Sequence, residues 1–251
     1  MQTWVLLRGL TRASAHWAGF DAALQEAMPV RVVALDIPGN GMLHAQRSAA
    51  TVQGMAAQCR AALQALGVEG PVVLLGMSMG GMVAMQWATQ WPSEVSGLVL
   101  INTSARPFSP AWQRMRPAGL ARLLKPALQG ANASTWERTI LQVTSNHAQQ
   151  DVLAHWSAER QQHPVSLPNA GRQLLAAARY RAPPQAPVPT LLLASAHDGL
   201  VNVECSRALA RQWRCALHLH PSAGHDLTLD DAPWVLEKLR RWHASTSAAK
   251  D

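Results

Sequence analysis

Six short, almost wholly apolar runs punctuate the chain: Trp4 to Leu7, Val30 to Leu35, Val72 to Leu75, Leu98 to Ile101, Thr190 to Ala194 and Ala216 to Leu219. Strands that alternate apolar and polar residues have one wet face. Near-continuous runs belong to strands covered on both faces, the condition of a parallel sheet. Helical periodicity fills the intervals. Between Thr51 and Gly67, the residues Val52, Met55, Ala56, Cys59, Leu63 and Leu66 recur at helical spacing, and Gly67 closes the segment. Asp231-Ala232-Pro233 opens a last helix through Trp234, Val235, Leu236 and Leu239. This alternation predicts an α/β fold, a doubly wound, mostly parallel six-stranded sheet with ligands at the carboxyl ends of its strands.

The alternation fails after the fourth run. From Ser104 to Pro189 the chain is broken by prolines and rich in Arg, Gln, Ala and Trp, with helical patterns at Trp112 to Leu124, Ala133 to Ser145, Gln150 to Gln161 and Gly171 to Tyr180. This predicts a helical cap or lid inserted at residues 105–187, lying over the strand ends of a core made of residues 1–104 and 188–251. Pro183-Pro184-Gln185-Ala186-Pro187 reads as the linker back to the sheet. The small, polar stretch from Ala244 to Asp251 is expected to fray.

Composition narrows the classes of function. At 251 residues the chain can bury a large core, and its three cysteines, Cys59, Cys205 and Cys215, make no disulfide framework. The first apolar run is too short for a signal peptide and has no basic segment before it, and no run is long enough to span a bilayer. A cytoplasmic protein without a membrane partner is expected. The formal charge of +7 has an address: ten basic residues and only three acids (Glu137, Asp151 and Glu159) lie between Arg106 and Arg181, and the remainder balances 12 against 12. These basic residues are spread over a proline-interrupted cap without a binding motif, so no nucleic-acid partner is expected.

The candidate chemistry lies at Gly76-Met77-Ser78-Met79-Gly80, followed by Gly81. An apolar run precedes it and a helical stretch, Met82 to Ala88, follows. This is the context of a G-x-S-x-G nucleophile elbow, whose glycines keep side chains clear of crossing backbone and whose serine stands at the positive end of a helix. A serine nucleophile needs a base, and the base needs an orienting carboxylate. Asp198, within Ser195 to Val201, and His225, within Ser222 to Asp226, each follow a predicted strand as Ser78 does. Such chemistry needs no metal or organic cofactor, and neither a P-loop nor a dinucleotide fingerprint occurs. His218 and His220 share a strand face without a third ligand at suitable spacing, and read as packing or surface residues.

Leu7-Arg8-Gly9-Leu10, Leu35-Asp36-Ile37-Pro38-Gly39-Asn40-Gly41, the elbow, His197-Asp198-Gly199-Leu200-Val201 and Ala223-Gly224-His225 together resemble the α/β-hydrolase superfamily over nearly the whole chain. The layout is most similar to small capped esterases such as the pimeloyl-carrier-protein methyl esterases. The resemblance implies cleavage of a small-molecule carboxylic ester through an acyl-enzyme, with Ser78 as nucleophile, His225 as general base and Asp198 as its orienter. It implies an oxyanion hole built from the backbone N–H groups of Met79 and Leu10, although Arg8 stands where the family commonly has His. Asp36 is expected in a structural turn and Asp226 as a solvated residue opening the next turn. His197, Trp17, Trp87, Trp112 and Trp156 are candidates to line the pocket. C–C bond hydrolases and thioesterases of the same fold, and non-catalytic ligand-binding members, are the alternatives. The basic cap keeps two readings open: a solvated surface, or recognition of an acidic acyl carrier protein.

Overall fold

Six strands form one all-parallel sheet in the order β2-β1-β3-β4-β5-β6, with β1 at Gln2–Leu7, β2 at Val30–Leu35, β3 at Val72–Met77, β4 at Val95–Ile101, β5 at Thr190–Ser195 and β6 at Ala216–His220. The computed structural model describes residues 1–147 and 151–248. Helices α1 (Phe20–Ala27), α2 (Val52–Ala65), α3 (Met79–Gln90), α9 (Glu204–Trp213), α10 (Leu227–Asp230) and α11 (Ala232–Ala248) accompany the sheet. Between β4 and β5 the chain forms α4 (Ala111–Arg114), α5 (Pro117–Leu128), α6 (Ala133–Thr144), α7 (Asp151–Gln162) and α8 (Leu167–Arg179). Among the described residues, no helix is long and apolar enough to cross a membrane.

Successive side chains of the inner strands enter two separate cores, as the apolar runs require. On one face Val5, Leu7, Leu74, Leu98, Leu100 and Leu192 pack with Met55 and Cys59 of α2, Val83 and Trp87 of α3 and Leu209 of α9. On the other, Trp4, Leu6, Val73, Leu75, Val99, Ile101 and Leu193 pack with Phe20 and Leu24 of α1 and Val235 and Leu239 of α11. The edge strand β6 departs from this pattern: Ala216, His218 and Leu219 are open to solvent, because β5 is its sole partner strand. β1 lies between β2 and β3, so the winding reverses there and opens a crevice at the carboxyl ends of β1 and β3.

Local chemistry sets the helix ends. Thr51 caps α2 by accepting from Gly54 N at 3.1 Å. The single helix expected from Trp112 to Leu124 is split, because Pro117 drives Arg116 into extended backbone (φ −63°, ψ 128°) and starts α5 afresh. The helix expected from Gly171 begins at Leu167, where Ser166 caps it by accepting from Asn169 N and Pro168 occupies the first turn. Gln150, the expected first residue of α7, lies outside the described residues. α11 does not fray at Ala244 but continues to Ala248. Trp242 on that helix packs edge-on against Trp4, with centroids 6.2 Å apart, and the hydroxyls of Ser245 and Thr246 donate back to its carbonyl. Asp251 and its two neighbours, the rest of the expected frayed tail, lie outside the described residues.

The chain leaves the sheet for α4 and returns from α8 through adjacent stretches. Arg106 and Arg181 form a bridge, with Ala182 N donating to Arg106 O at 2.7 Å. The intervening helices are seated by buried amides: Gln173 of α8 donates to Asn40 and Ser48, and Asn169 accepts from Ser48 N. At the other end, Asn146 donates to the carbonyls of His197 and Ser222.

Candidate active site

β3 ends at Met77 and α3 starts at Met79, which leaves Ser78 alone to turn the chain. It adopts φ 54° and ψ −120°, a conformation that costs a non-glycine residue roughly 1–3 kcal/mol. The turn closes only around glycine: a Cβ at Gly76 would run into the Gly80 backbone, and one at Gly80 into the carbonyls of Leu7 and Arg8. The strained residue is tied on both sides, since Ser78 N donates to Ile101 O at 2.9 Å and Thr103 Oγ1 donates to Ser78 O at 2.7 Å. As the first residue of α3, Met79 has an N–H without an intrahelical acceptor. Leu10 follows Gly9, which lies against the Ser78 side chain.

Asp198 and His225 meet in the loops after β5 and β6. His225 Nδ1 lies 2.7 Å from Asp198 Oδ2, with both side chains almost fully buried. A carboxylate can only accept, so Nδ1 carries the proton and Nε2 is left with a free lone pair. The other Asp198 oxygen accepts from Leu200 N at 2.7 Å and Val201 N at 2.9 Å, which fixes the carboxylate. Burial lowers the His225 pKa, but the charge and hydrogen bond of Asp198 and the charge of Asp226 outweigh it, and the net direction is upward. Ser78 and His225 line one cavity. No hydrogen bond joins Ser78 Oγ to the ring, a contact that commonly tightens when substrate arrives.

Several supporting residues are invisible to motif reasoning. Asn102, one residue past β4, donates to His225 O at 2.8 Å and accepts from Ser195 N at 2.8 Å, fastening the histidine loop to β5. Its φ of 46° is one that Asn tolerates better than most residues, and its place at a strand's carboxyl end is the signal that points to it. Asp230 accepts from Gly224 N at 2.7 Å and steadies the same loop.

Asp226 corrects its expectation. It is buried, not solvated, and its two oxygens accept from Arg8 Nη1 at 3.1 Å and Nη2 at 2.5 Å. Burial alone would raise its pKa, but Arg8 holds it below the usual carboxylate range. Arg8 also lies over the Trp17 ring at 4.8 Å. The arginine after β1 and the acid after the histidine therefore explain each other. Asp36 sits in the expected turn, its carboxylate accepting from Ser14 N and Met42 N. His197 is exposed, and Asn146 uses its carbonyl. His220 is buried between Asp231 and Trp234, while His218 is exposed.

The cavity over Ser78 and His225 has a volume of about 300 Å³ and runs between Leu123 of α5, Trp136 and Ile140 of α6, and Leu200. A second compartment of about 180 Å³ opens from the same two residues toward Met82 of α3 and Ala177 of α8. The tryptophan expectation is corrected here: Trp17, Trp87 and Trp156 are core residues, Trp112 is exposed, and Trp136 lines the cavity. Among the described residues, no three His, Cys, Asp or Glu side chains converge as metal ligands would.

Known proteins are similar to this chain in sequence and in fold. The pimeloyl-[acyl-carrier protein] methyl ester esterase of Chromobacterium violaceum is 29% identical over 215 residues, covering 82% of this chain and 82% of the relative. The same-named enzyme of Aeromonas hydrophila is 32% identical over 183 residues, covering 68% of this chain and 67% of its own. In structure, a thermophilic esterase from Thermogutta terrifontis superimposes with a TM-score of 0.74 at 23% identity, over 98% of this chain and 90% of that one. The 2-hydroxy-6-oxo-6-phenylhexa-2,4-dienoate hydrolase of Rhodococcus sp. strain RHA1 gives 0.77 at 20% identity, over 97% and 90%; at these identities the two structures speak for the fold alone. Residues 4–238 match the sequence profile of the alpha/beta hydrolase family, and the chain belongs to that family.

Proposed function

We propose that this ester-bond hydrolase cleaves a carboxylic ester through a triad of Ser78, His225 and Asp198 and an acyl-enzyme intermediate. One observation carries the reading: a buried His225–Asp198 pair opens onto the same cavity as a serine held in a strained turn at a helix start. His225 Nε2 takes the Ser78 proton as Oγ attacks the carbonyl carbon. The oxyanion that forms is held by the N–H groups of Met79 and Leu10. The tetrahedral intermediate collapses, His225 returns the proton to the departing alcohol, and the acyl group stays on Oγ. Water, deprotonated by the same nitrogen, then releases the acid. The larger compartment takes the acyl chain and the smaller one the alcohol. Ser78→Ala is expected to abolish both hydrolysis of short p-nitrophenyl esters and labelling by a fluorophosphonate, with the circular dichroism spectrum unchanged. Labelling that persists in the variant would overturn the assignment, and a folded wild type that neither labels nor turns over ester would make the protein a binder.

The relatives' names favour a second, finer reading, an ester borne by an acyl carrier protein. Arg122, Lys125, Arg138 and Arg179 on α5, α6 and α8 are exposed, a surface that attracts an acidic partner. Turnover of a carrier-bound acyl ester is then faster than that of the free ester and falls as salt rises. Equal, salt-insensitive rates would leave the arginines as a solvated surface.

A further inference from the structure

The large compartment is apolar along most of its wall but has a cation in it. Arg12 lines the cavity with Ser78, yet is itself 93% buried, its exposure being 7%. Its surroundings are unevenly matched. Nη1 donates to Glu137 Oε2 at 2.5 Å, and the guanidinium lies over Trp156 at 4.4 Å, but Nη2 is buried without an acceptor. Glu137, the carboxylate that answers it, is shared, because its other oxygen accepts from Arg160 Nε at 2.6 Å. Arg8 and Asp226 are the remaining charges nearby; Asp226 feels the charge of Arg12, but its two oxygens accept from Arg8. Glu159, further along α7, is occupied by His163. His16, edge-on to Trp156, supplies no countercharge: burial, then Arg12 and Arg8, drive its pKa well below the ordinary value. Burial likewise lowers the Arg12 pKa to about 10, with Arg8 and Arg160 working against the favourable charge of Glu137.

The fold holds this residue in place. Thr11 takes a φ of 56°, unusual for a β-branched side chain, so that Arg12 N can reach back to Gly9 O at 3.2 Å. Gln173 accepts from Thr11 N at 2.9 Å, Asn40 donates to Arg12 O at 3.0 Å, and Gln173 donates to Asn40 at 2.7 Å. Asn40 and Gln173 are fully buried. A strained turn fixed by a buried amide network is a costly way to present an alkyl stem, and a sensible way to present a charge.

We propose that the ester received by this cavity carries a second, anionic group, a carboxylate at the far end of its acyl chain, and that Arg12 selects it. The inference rests on Ser78 as the site of ester cleavage and adds the class of acyl group. A carboxylate entering beside Arg12 supplies the acceptor that Nη2 lacks and restores charge balance in a region of low dielectric. The outer arginines of α5 and α6 play no part, and the substrate so selected is a free half-ester, since a chain borne on a carrier has its far carboxyl tied up in the carrier linkage.

The test compares monomethyl esters of glutaric, adipic and suberic acids with methyl esters of monocarboxylic acids of matching length. The wild type is expected to favour the half-esters by about ten-fold or more in kcat/KM, chiefly through KM, as one charge-assisted hydrogen bond warrants. Arg12→Gln is expected to bring the ratio near unity, and Arg12→Lys to keep part of it. Arg12→Gln/Glu137→Gln supplies a charge-matched variant should the single one fold poorly. Binding of monomethyl adipate to Ser78→Ala, followed by calorimetry, reads the same preference without turnover and is expected to vanish when Arg12→Gln is added. Neutral esters turned over as fast as half-esters would overturn the inference and leave the Ser78 assignment standing. Adipate half-ester bound through Arg12 by a protein that hydrolyses nothing would do the reverse. An undiminished ratio in Arg12→Gln would remove Arg12 from the proposal.

Discussion

The sheet and the helices between β4 and β5 hold themselves together differently. Strands β1 to β5 send alternate side chains into two continuous apolar cores, and the charges outside residues 105–187 cancel. The helical stretch carries the entire formal +7, leaves Trp112, Leu124 and Leu167 exposed, and is seated by buried amides and ion pairs, Gln173, Asn169 and Glu137 among them. Apolar packing tolerates exchange of one hydrophobe for another, whereas buried polar contacts demand particular partners. The sheet thus gives rigid strand ends on which reactive groups keep their places, and the helices give a wall whose shape and charge are specific to this chain.

Substitutions on the two sides of the cavity sharpen that contrast. Asp198→Asn, on the sheet side, is expected to lower kcat by about 10⁴-fold by allowing the wrong tautomer of His225, with Tm nearly kept; stopped-flow ester hydrolysis beside thermal unfolding checks it. A loss of ten-fold or less would mean that the loops after β5 and β6 do not govern the chemistry. Arg8→Met leaves Asp226 buried and unpaired and is expected to destabilise by about 3–5 kcal/mol in urea unfolding, while Arg8→Met/Asp226→Leu recovers much of the loss. If the single variant unfolds like the wild type, the pair is not what joins the ends of β1 and β6.

The same pair affects pH dependence. In the proposed mechanism His225 must be neutral to act as base, and its pKa is raised, so kcat/KM is expected to fall on acidification at a pH above the ordinary imidazole value of about 6.5. Asp226→Asn removes a charge that raises that pKa and moves the acid limb down; Arg8→Met removes one that lowers it and moves the limb up. Identical pH profiles in the two variants would break the argument. The smallest effect belongs to the helices: Trp136→Ala is expected to shift the preferred acyl length, changing the ratio of long- to short-chain kcat/KM by about 3–10-fold.

Much of the sheet was legible because a strand buried on both faces leaves a continuous apolar run, and Val30 to Leu35 matches β2 residue for residue. β6 reads the same way and yet stands at the edge, since apolarity does not reveal how many neighbours a strand has. Ser78, Asp198 and His225 stand out in the sequence by their positions after such runs. Arg8 and Asp226 do not: their contact spans 218 residues of chain, and no spacing rule links them. Beside a histidine, an acid looks like a turn residue until the arginine across from it is seen. The cavity wall was least legible. Trp136 and Trp156 both lie on helices between β4 and β5, and only their docking decides that Trp136 faces the cavity while Trp156 is sealed behind Arg12.

The bridge between Arg106 and Arg181 has a bearing on how such a molecule changes over generations. Because the exit and re-entry points are one hydrogen bond apart, everything between them hangs from a closed neck. Lengthening, shortening or replacing that loop alters its closure entropy only slowly, and strand order not at all. A graft at this neck is therefore a route to new substrates that leaves the loops of Ser78, Asp198 and His225 in their original frame, open to natural recombination and to an engineer with two restriction sites.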